Sequence, residues 1–330
     1  MAATGDGFAR VRTARQRWAA PGSRHDRLIT LLNSGLPIAI GVLAAFLVMA
    51  PLTASNEVSF VLDKNKVEVA KERMKLQALE VPTHPREGID LEILADRLAH
   101  LPIKACWFMS SLQNPLGASM GEAKKQQLYD LLQRHQVPLI EDDVYAELYF
   151  TREPPKPVKS HDREGLVMHC GSFSKSLAPG YRVGWVAGGR YAEQITRLKL
   201  MTTISPSVPA QAAIADYLQH GGYDRHLRKL RHALEMQQDA MLASAARHFP
   251  ASTRVTQPSG GYFLWFEFPE QVDSLQLLQL ALAQGISLAP GPIFSATQRF
   301  RNCARLNHGH PWDARSEQAM ELLGRMLKSF

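Results

Sequence analysis

The sequence predicts an α/β protein: a mostly parallel sheet with helices between its strands, a smaller C-terminal α/β domain after it, and one transmembrane helix ahead of both. Three observations carry the prediction. Past Ala78, short apolar runs rich in β-branched residues alternate with longer stretches of helical spacing, the order of βαβ units. From Leu28 to Ser55 no side chain is charged, and GLPIAIGVLAAFLVMAPLTAS within that stretch is almost wholly apolar, long enough at helical rise to cross a bilayer core of ~30 Å. The chain of 330 residues is 45% hydrophobic and 21% charged, the usage of one large or two medium folded domains, which excludes disorder, collagen and a disulfide-built miniprotein.

Taken in order, residues 1–34 read as a basic cytoplasmic tail. Residues 1–27 carry Arg10, Arg12, Arg15, Arg17, Arg24 and Arg27 against Asp6 and Asp26, so most of the net charge of +7 sits there. A basic tail on a near-neutral body argues against a nucleic-acid-binding body. Residues 35–55 read as the transmembrane helix, in which Gly35, Pro37 and Gly41 are tolerated. With arginines before it and Asn56 and Glu57 after it, the positive-inside rule puts the tail in the cytoplasm and the rest outside. Residues 56–77 are a junction. Over residues 23–77, SRHDRLITLLNSGLPIAIGVLAAFLVMAPLTASNEVSFVLDKNKVEVAKERMKLQ, the chain resembles the anchor and first strand of the periplasmic lipopolysaccharide-export protein family, its C component. That resemblance implies an inner-membrane anchor and the start of a jelly-roll strand at Ser59.

The large domain, residues 78–220, opens with ALEVPTH (78–84) as a strand. Asp90 is placed to cap a helix over 90–101, where Leu91, Ile93, Leu94, Leu98 and Leu101 keep helical spacing. IKACWFMS (103–110) reads as a buried strand, EAKKQQLYDLLQRH (122–135) as a helix, and VPLIEDD (137–143), GLVMHCGSFS (165–174) and GWVAGG (184–189) as further strands. The smaller domain, residues 221–330, begins with a helix over 223–249 whose apolar spacing makes its basic start a solvated face rather than a nucleic-acid contact. In PSGGYFLWFEF, Gly260 and Gly261 form a turn that leads Tyr262 into a strand. Cys106, Cys170 and Cys303 are widely spread without a CxxC pair and read as reduced thiols. Cys303, His308 and His310 lack a second ligand pair at useful spacing, so no metal is expected.

In open α/β sheets ligands lie beyond the carboxyl ends of the strands. Those positions hold Asn114 in QNPLG, Asp142 in EDDVYAEL and Lys175 in GSFSKSLAPGYRVGW. Singly, each has an ordinary reading: Asn-Pro starts turns, Asp caps helices, and a lysine in a serine-rich loop is solvated. Together, and with PSGGYF in the same order, they resemble the class I/II aminotransferases, pyridoxal-phosphate (PLP) enzymes of fold type I. The aminotransferase-like domain of the GntR/MocR-type regulators is the nearest match, over about residues 76–330.

The resemblance implies a pyridoxal 5'-phosphate cofactor, amino acid and 2-oxo acid substrates, a homodimer and a cytoplasmic body. Lys175 would join the cofactor aldehyde and move the substrate's Cα proton. Asp142 would keep the ring nitrogen protonated, and strand alternation turns the neighbouring Asp143 to the opposite side. Asn114 and Tyr145 match hydrogen bonds to the phenolic oxygen. Ser172 and Arg182, with Ser174 as a further candidate, match phosphate ligands. Arg305 in NCARLNHG matches the arginine that grips the substrate α-carboxylate.

Ahead of QNPLG there is no glycine-rich strand-to-helix turn of the kind that cups phosphate, so the expected sheet is incomplete, an N-terminally truncated domain whose activity stays open. Two other readings stand beside it: a membrane-anchored lipopolysaccharide-export component fragment, and a non-catalytic PLP-binding regulator domain. The anchor would send the body outside while the resemblance keeps it in the cytoplasm, a conflict that a fusion of two segments explains.

Overall fold

The computed structural model describes residues 29–32, 58–62, 76–295 and 297–330. Its centre is a seven-stranded sheet in the order β1-β9-β8-β7-β6-β2-β3. The strands are β1 (Ile29–Leu32), β2 (Val58–Leu62), β3 (Leu76–Leu79), β6 (Ile103–Phe108), β7 (Leu139–Asp142), β8 (Val167–Ser172) and β9 (Gly184–Ala187); a short hairpin of β4 (Thr83–His84) and β5 (Gly88–Ile89) stands apart. β3, β2, β6, β7 and β8 run parallel, whereas β9 pairs antiparallel with both β8 and β1.

Two strands fall where the sequence reading has none of this sheet. Ile29–Leu32, inside the expected tail, pairs with β9, and Val58–Leu62, inside the expected junction, lies between β6 and β3. The sheet therefore takes two strands from before residue 78. The reason is compositional: ITLL sits in an uncharged run that suits a strand as well as a membrane helix, and VSFVL fits a parallel strand as well as a jelly-roll strand. The rest of the tail, the 35–55 span and most of the stretch likened to the export anchor lie outside the described residues. Among the described residues no helix is long and apolar enough to cross a membrane.

The connecting helices follow local chemistry. The helix α1 (Leu91–His100) starts where the Asp90 carboxylate accepts from the amides of Glu92 and Ile93 at 3.0 and 3.1 Å. The helix α2 (Glu122–His135) stops at Gln136, which adopts the left-handed conformation. Leu94, Leu98, Leu128 and Leu132 press onto Cys106 and Leu139 to make the core under the parallel strands. After β9 come α3 (Ala192–Thr202) and α4 (Val208–Gln219), then the long α5 (Gly222–His248).

A second, antiparallel sheet follows in the order β10-β11-β13-β12, from β10 (Arg254–Val255), β11 (Phe263–Glu267), β12 (Ala289–Pro290) and β13 (Cys303–Asn307). With α6 (Ser274–Leu282), α7 (Ala314–Leu327) and the end of α5, it encloses a core that includes Phe249, Leu264, Phe266, Leu277 and Leu323. A third cluster joins the two halves: Met109, Leu112, Tyr145 and Leu148, from the segments after β6 and β7, meet Leu234 of α5 and Phe263 of β11. The three cysteines are buried.

Candidate active site

Parallel pairing brings the carboxyl ends of β6, β7 and β8 to one rim, since Phe108 stands beside Glu141 and Asp142 beside Cys170. The chain leaving β6 carries Asn114, whose peptide bond to Pro115 is cis. β7 ends on the buried Asp142, and the turn after it carries Tyr145. β8 ends on Ser172 and runs into the turn with Ser174 and Lys175.

Tyr145 lies at the centre. It is buried, meets the rings of Tyr262 and Phe263 edge-on at 5.5 and 5.3 Å, and has the Lys175 ammonium 5.7 Å from its ring centroid. Burial pushes the Tyr145 phenol well above its ordinary range, with the neighbouring Tyr262 adding to the effect. It is therefore a proton donor at neutral pH. Lys175 is exposed and has no hydrogen bond or ion pair among the described residues.

Arg305 reaches the rim from β13. Its guanidinium donates to the Asn114 side-chain oxygen at 2.6 Å and sits 5.2 Å from the rings of both Phe263 and Phe294. One nitrogen is thus committed, and the aromatic rings fix the plane of the fork while leaving further donors. The glycines of PSGGYF explain how the second sheet docks. A Cβ on Gly260 would come within 2.5 Å of the Leu148 carbonyl oxygen, and Gly261 has φ +85. That close approach lets Gly261 N donate to Leu148 O and Phe150 N to Ser259 O, both at 2.8 Å.

The phosphate candidates differ among themselves. Ser172 Oγ accepts from the Ser174 amide at 3.0 Å and donates to Val183 O at 3.4 Å, so it shapes the loop. Ser174 Oγ is buried without a hydrogen-bond partner among the described residues. Arg182, left-handed at φ 53 and exposed, donates to Pro179 O at 3.2 Å along its own loop. The structure thus brings Asn114, Arg305, Tyr145 and Lys175 together, and leaves Arg182 turned along the surface.

Two features escape the sequence reading. His169 on β8 bonds to Asp143, and Lys125 on α2 is buried, donating to Ser111 Oγ at 2.6 Å and to Lys156 O at 2.7 Å. A histidine on a strand and a lysine in a helix carry no local signal of burial. Only the adjacent carboxylates of EDDVYAEL hint that a cation must stand near.

The chain is similar to known proteins over most of its described length. The profile of the family "Aminotransferase class I and II" matches residues 67–310. An uncharacterized HTH-type transcriptional regulator of Escherichia coli, YdcR, is 47% identical over 259 residues, covering 78% of this chain and 55% of that protein. Aromatic-amino-acid aminotransferase 1 of Thermococcus litoralis is 30% identical over 248 residues, 73% of this chain and 60% of that protein. Among solved structures, Pyrococcus horikoshii kynurenine aminotransferase in complex with PMP superposes with a TM-score of 0.83 at 25% identity, covering 98% of this chain and 79% of that one. The chain spans little more than half the length of the curated relatives it matches, 55% and 54% of the first two. The matched residues, the parallel sheet and the superposition agree, and the chain belongs to the aminotransferase class I and II family.

Proposed function

We propose that this chain is a pyridoxal-phosphate-dependent aminotransferase module that moves an amino group between an amino acid and a 2-oxo acid. One observation carries the reading: a lysine amine that is unpaired among the described residues stands over a buried phenol, while an arginine fork from the second sheet is already bonded to the asparagine on the same rim. The donor set suits the cofactor, because it offers an amine, a carboxylate, an amide, a phenol and hydroxyls. The buried Ser174 hydroxyl, without a partner among the described residues, costs about 1–3 kcal/mol unless a ligand takes it up.

Lys175 would hold the aldehyde, Asp142 the ring nitrogen, Asn114 and Tyr145 the phenolic oxygen, and Ser172, Ser174 and Arg182 the phosphate. Bound there, the cofactor supplies a sink for the electrons left when the substrate's Cα–H bond breaks. The chain's own groups do the rest. Lys175 takes and returns the Cα proton, Tyr145 donates from a phenol that burial keeps protonated, and Arg305 orients the substrate carboxylate with the donors that Asn114 leaves unused.

A homodimer belongs to the same proposal. Leu200, Met201, Ile204 and Val208, at the end of α3 and the start of α4, are between 64% and 80% exposed. A cluster of large apolar side chains held out in this way suits burial against a second copy.

The 47% identity to an HTH-type transcriptional regulator favours a second reading, a domain that binds cofactor and amino acid without turnover. A single-turnover experiment separates the two. With the cofactor-loaded protein and excess amino acid, transamination yields one equivalent of the 2-oxo acid, and none with Lys175→Ala. Binding of both ligands without 2-oxo acid supports the regulator.

A further inference from the structure

Behind Asp142, on the other face of the sheet, lies a buried polar cluster. Strand alternation puts Glu141 and Asp143 on that face, and the parallel register sets Glu141 beside His169. His169 Nε2 donates to Asp143 Oδ2 at 2.9 Å, with only 13% and 6% of the two side chains exposed. The His169 ring is held edge-on against Trp185 at 4.9 Å. The Asp143 amide donates to Cys170 O at 2.9 Å, which carries the β7–β8 ladder one residue past the end of β7. Glu141 is fully committed, accepting from Ser110 Oγ at 2.5 Å and from the amides of Val158 and Lys159 at 2.7 and 2.9 Å.

We propose that His169 and Asp143 are positioning residues for Asp142: their buried ion pair clamps the residue next to Asp142 onto β8 and compensates the second aspartate of the EDD sequence. The inference rests on the reading of Asp142 as the partner of the cofactor's ring nitrogen. Asp142 and Asp143 are adjacent, so a charge left uncompensated on Asp143 acts directly on the site, and a loosened Asp143 frees the backbone that aims Asp142. Around the pair stand Glu141 on β7, Lys159 in the turn Val158–His161, and Lys125 on α2, whose charge is felt at Asp143 and Glu141. Burial opposes a charged His169, but the hydrogen bond to Asp143 and the nearby carboxylates outweigh it, and the His169 pKa is raised.

The test uses the full chain with His169→Gln, Asp143→Asn and the double variant, and two readouts. The first is the His169 imidazole resonance in protein free of cofactor. The pair requires a titration midpoint above the ordinary value of about 6.5, falling back in Asp143→Asn; an ordinary midpoint in the wild type overturns the proposal whatever the cofactor does. The second is the pH midpoint of the Lys175-dependent absorbance band with pyridoxal phosphate. In His169→Gln the uncompensated Asp143 should raise this midpoint by about one unit, a tenfold change in proton affinity. In the double variant, where a neutral amide pair replaces the ionic one, at least half of that shift should disappear. A role in packing alone leaves the midpoint in place, or leaves the double variant as displaced as the single, and either result refutes the positioning role. Absence of the band from the wild type refutes instead the cofactor reading on which the second readout depends. If His169→Gln does not fold, Asp143→Asn, which keeps the side-chain volume, must by itself move both readouts.

Discussion

Replacing Arg305 by lysine keeps a cation on β13 and removes the fork. The wild-type guanidinium spends one nitrogen on Asn114 at 2.6 Å and lies 5.2 Å from the rings of Phe263 and Phe294, so on the proposed reading its remaining donors are held in a fixed plane for a substrate carboxylate. A lysine ammonium is a point charge that cannot keep the Asn114 bond and grip both carboxylate oxygens at once. One hydrogen bond to a charged group is worth about 1.5–3 kcal/mol, which converts to a loss of roughly 10- to 150-fold in kcat/KM. Most of the loss should appear in KM, because the carboxylate is held equally in the ground and transition states. Steady-state assays with a carboxylate-bearing amino acid and with the corresponding amine sort this out: the amine, lacking the carboxylate, should be used equally poorly by both proteins. An unchanged KM for the amino acid in Arg305→Lys would show that the guanidinium serves only to hold the asparagine loop.

Other perturbations test the frame around the site. Gly171 lies opposite Trp185 in the β8–β9 register, and a methyl group there would overlap the indole. Gly171→Ala should therefore lower stability by about 1–3 kcal/mol, read as a fall in Tm, and an unchanged Tm would show that the ring moves freely. His169 gives a pH signature of defined sign. Its folded pKa is raised, so its contribution is fully present below the unfolded value of about 6.5 and is lost as pH rises through the folded value. The stability difference between wild type and His169→Gln should shrink as the pH is raised in urea titrations, and a difference that grows would contradict the ion pair. Met201→Glu puts a charge into the exposed apolar cluster of α3 and α4. Sedimentation should report a dimer for the wild type and a monomer for this variant, and the same state for both would contradict the proposed dimer.

How far the sequence speaks for itself varies along the chain. The two helices before and after β6 are legible almost to the residue: Asp90 caps α1, and α2 spans Glu122–His135 with Leu128 and Leu132 on its buried stripe. By contrast, α3 and α4 do not register. α3 fully buries only Ile195 and α4 only Ala210 and Ile214, while Leu200, Met201 and Val208 point outward and blur the periodicity. Nor does the sequence reveal that β9 runs antiparallel, since strand direction is settled by connection and packing rather than composition.

In the site, the residue types after the strands announce themselves because three polar groups end three apolar runs. Contacts across long separations do not, and Arg305 with Asn114, 191 residues apart, is one of them. His169 and Lys125 stay hidden for another reason. A buried charge is tolerated only through its partners, and those partners lie on other strands and turns.

The central claim is that the rim around Lys175 takes pyridoxal phosphate through the lysine amine. The most direct measurement is the absorbance spectrum of the full chain mixed with pyridoxal phosphate, beside Lys175→Ala under the same conditions. The account predicts a visible band in the wild type that survives dialysis and is missing from the variant. A band of equal strength in both proteins, or none in a folded wild type, would contradict it.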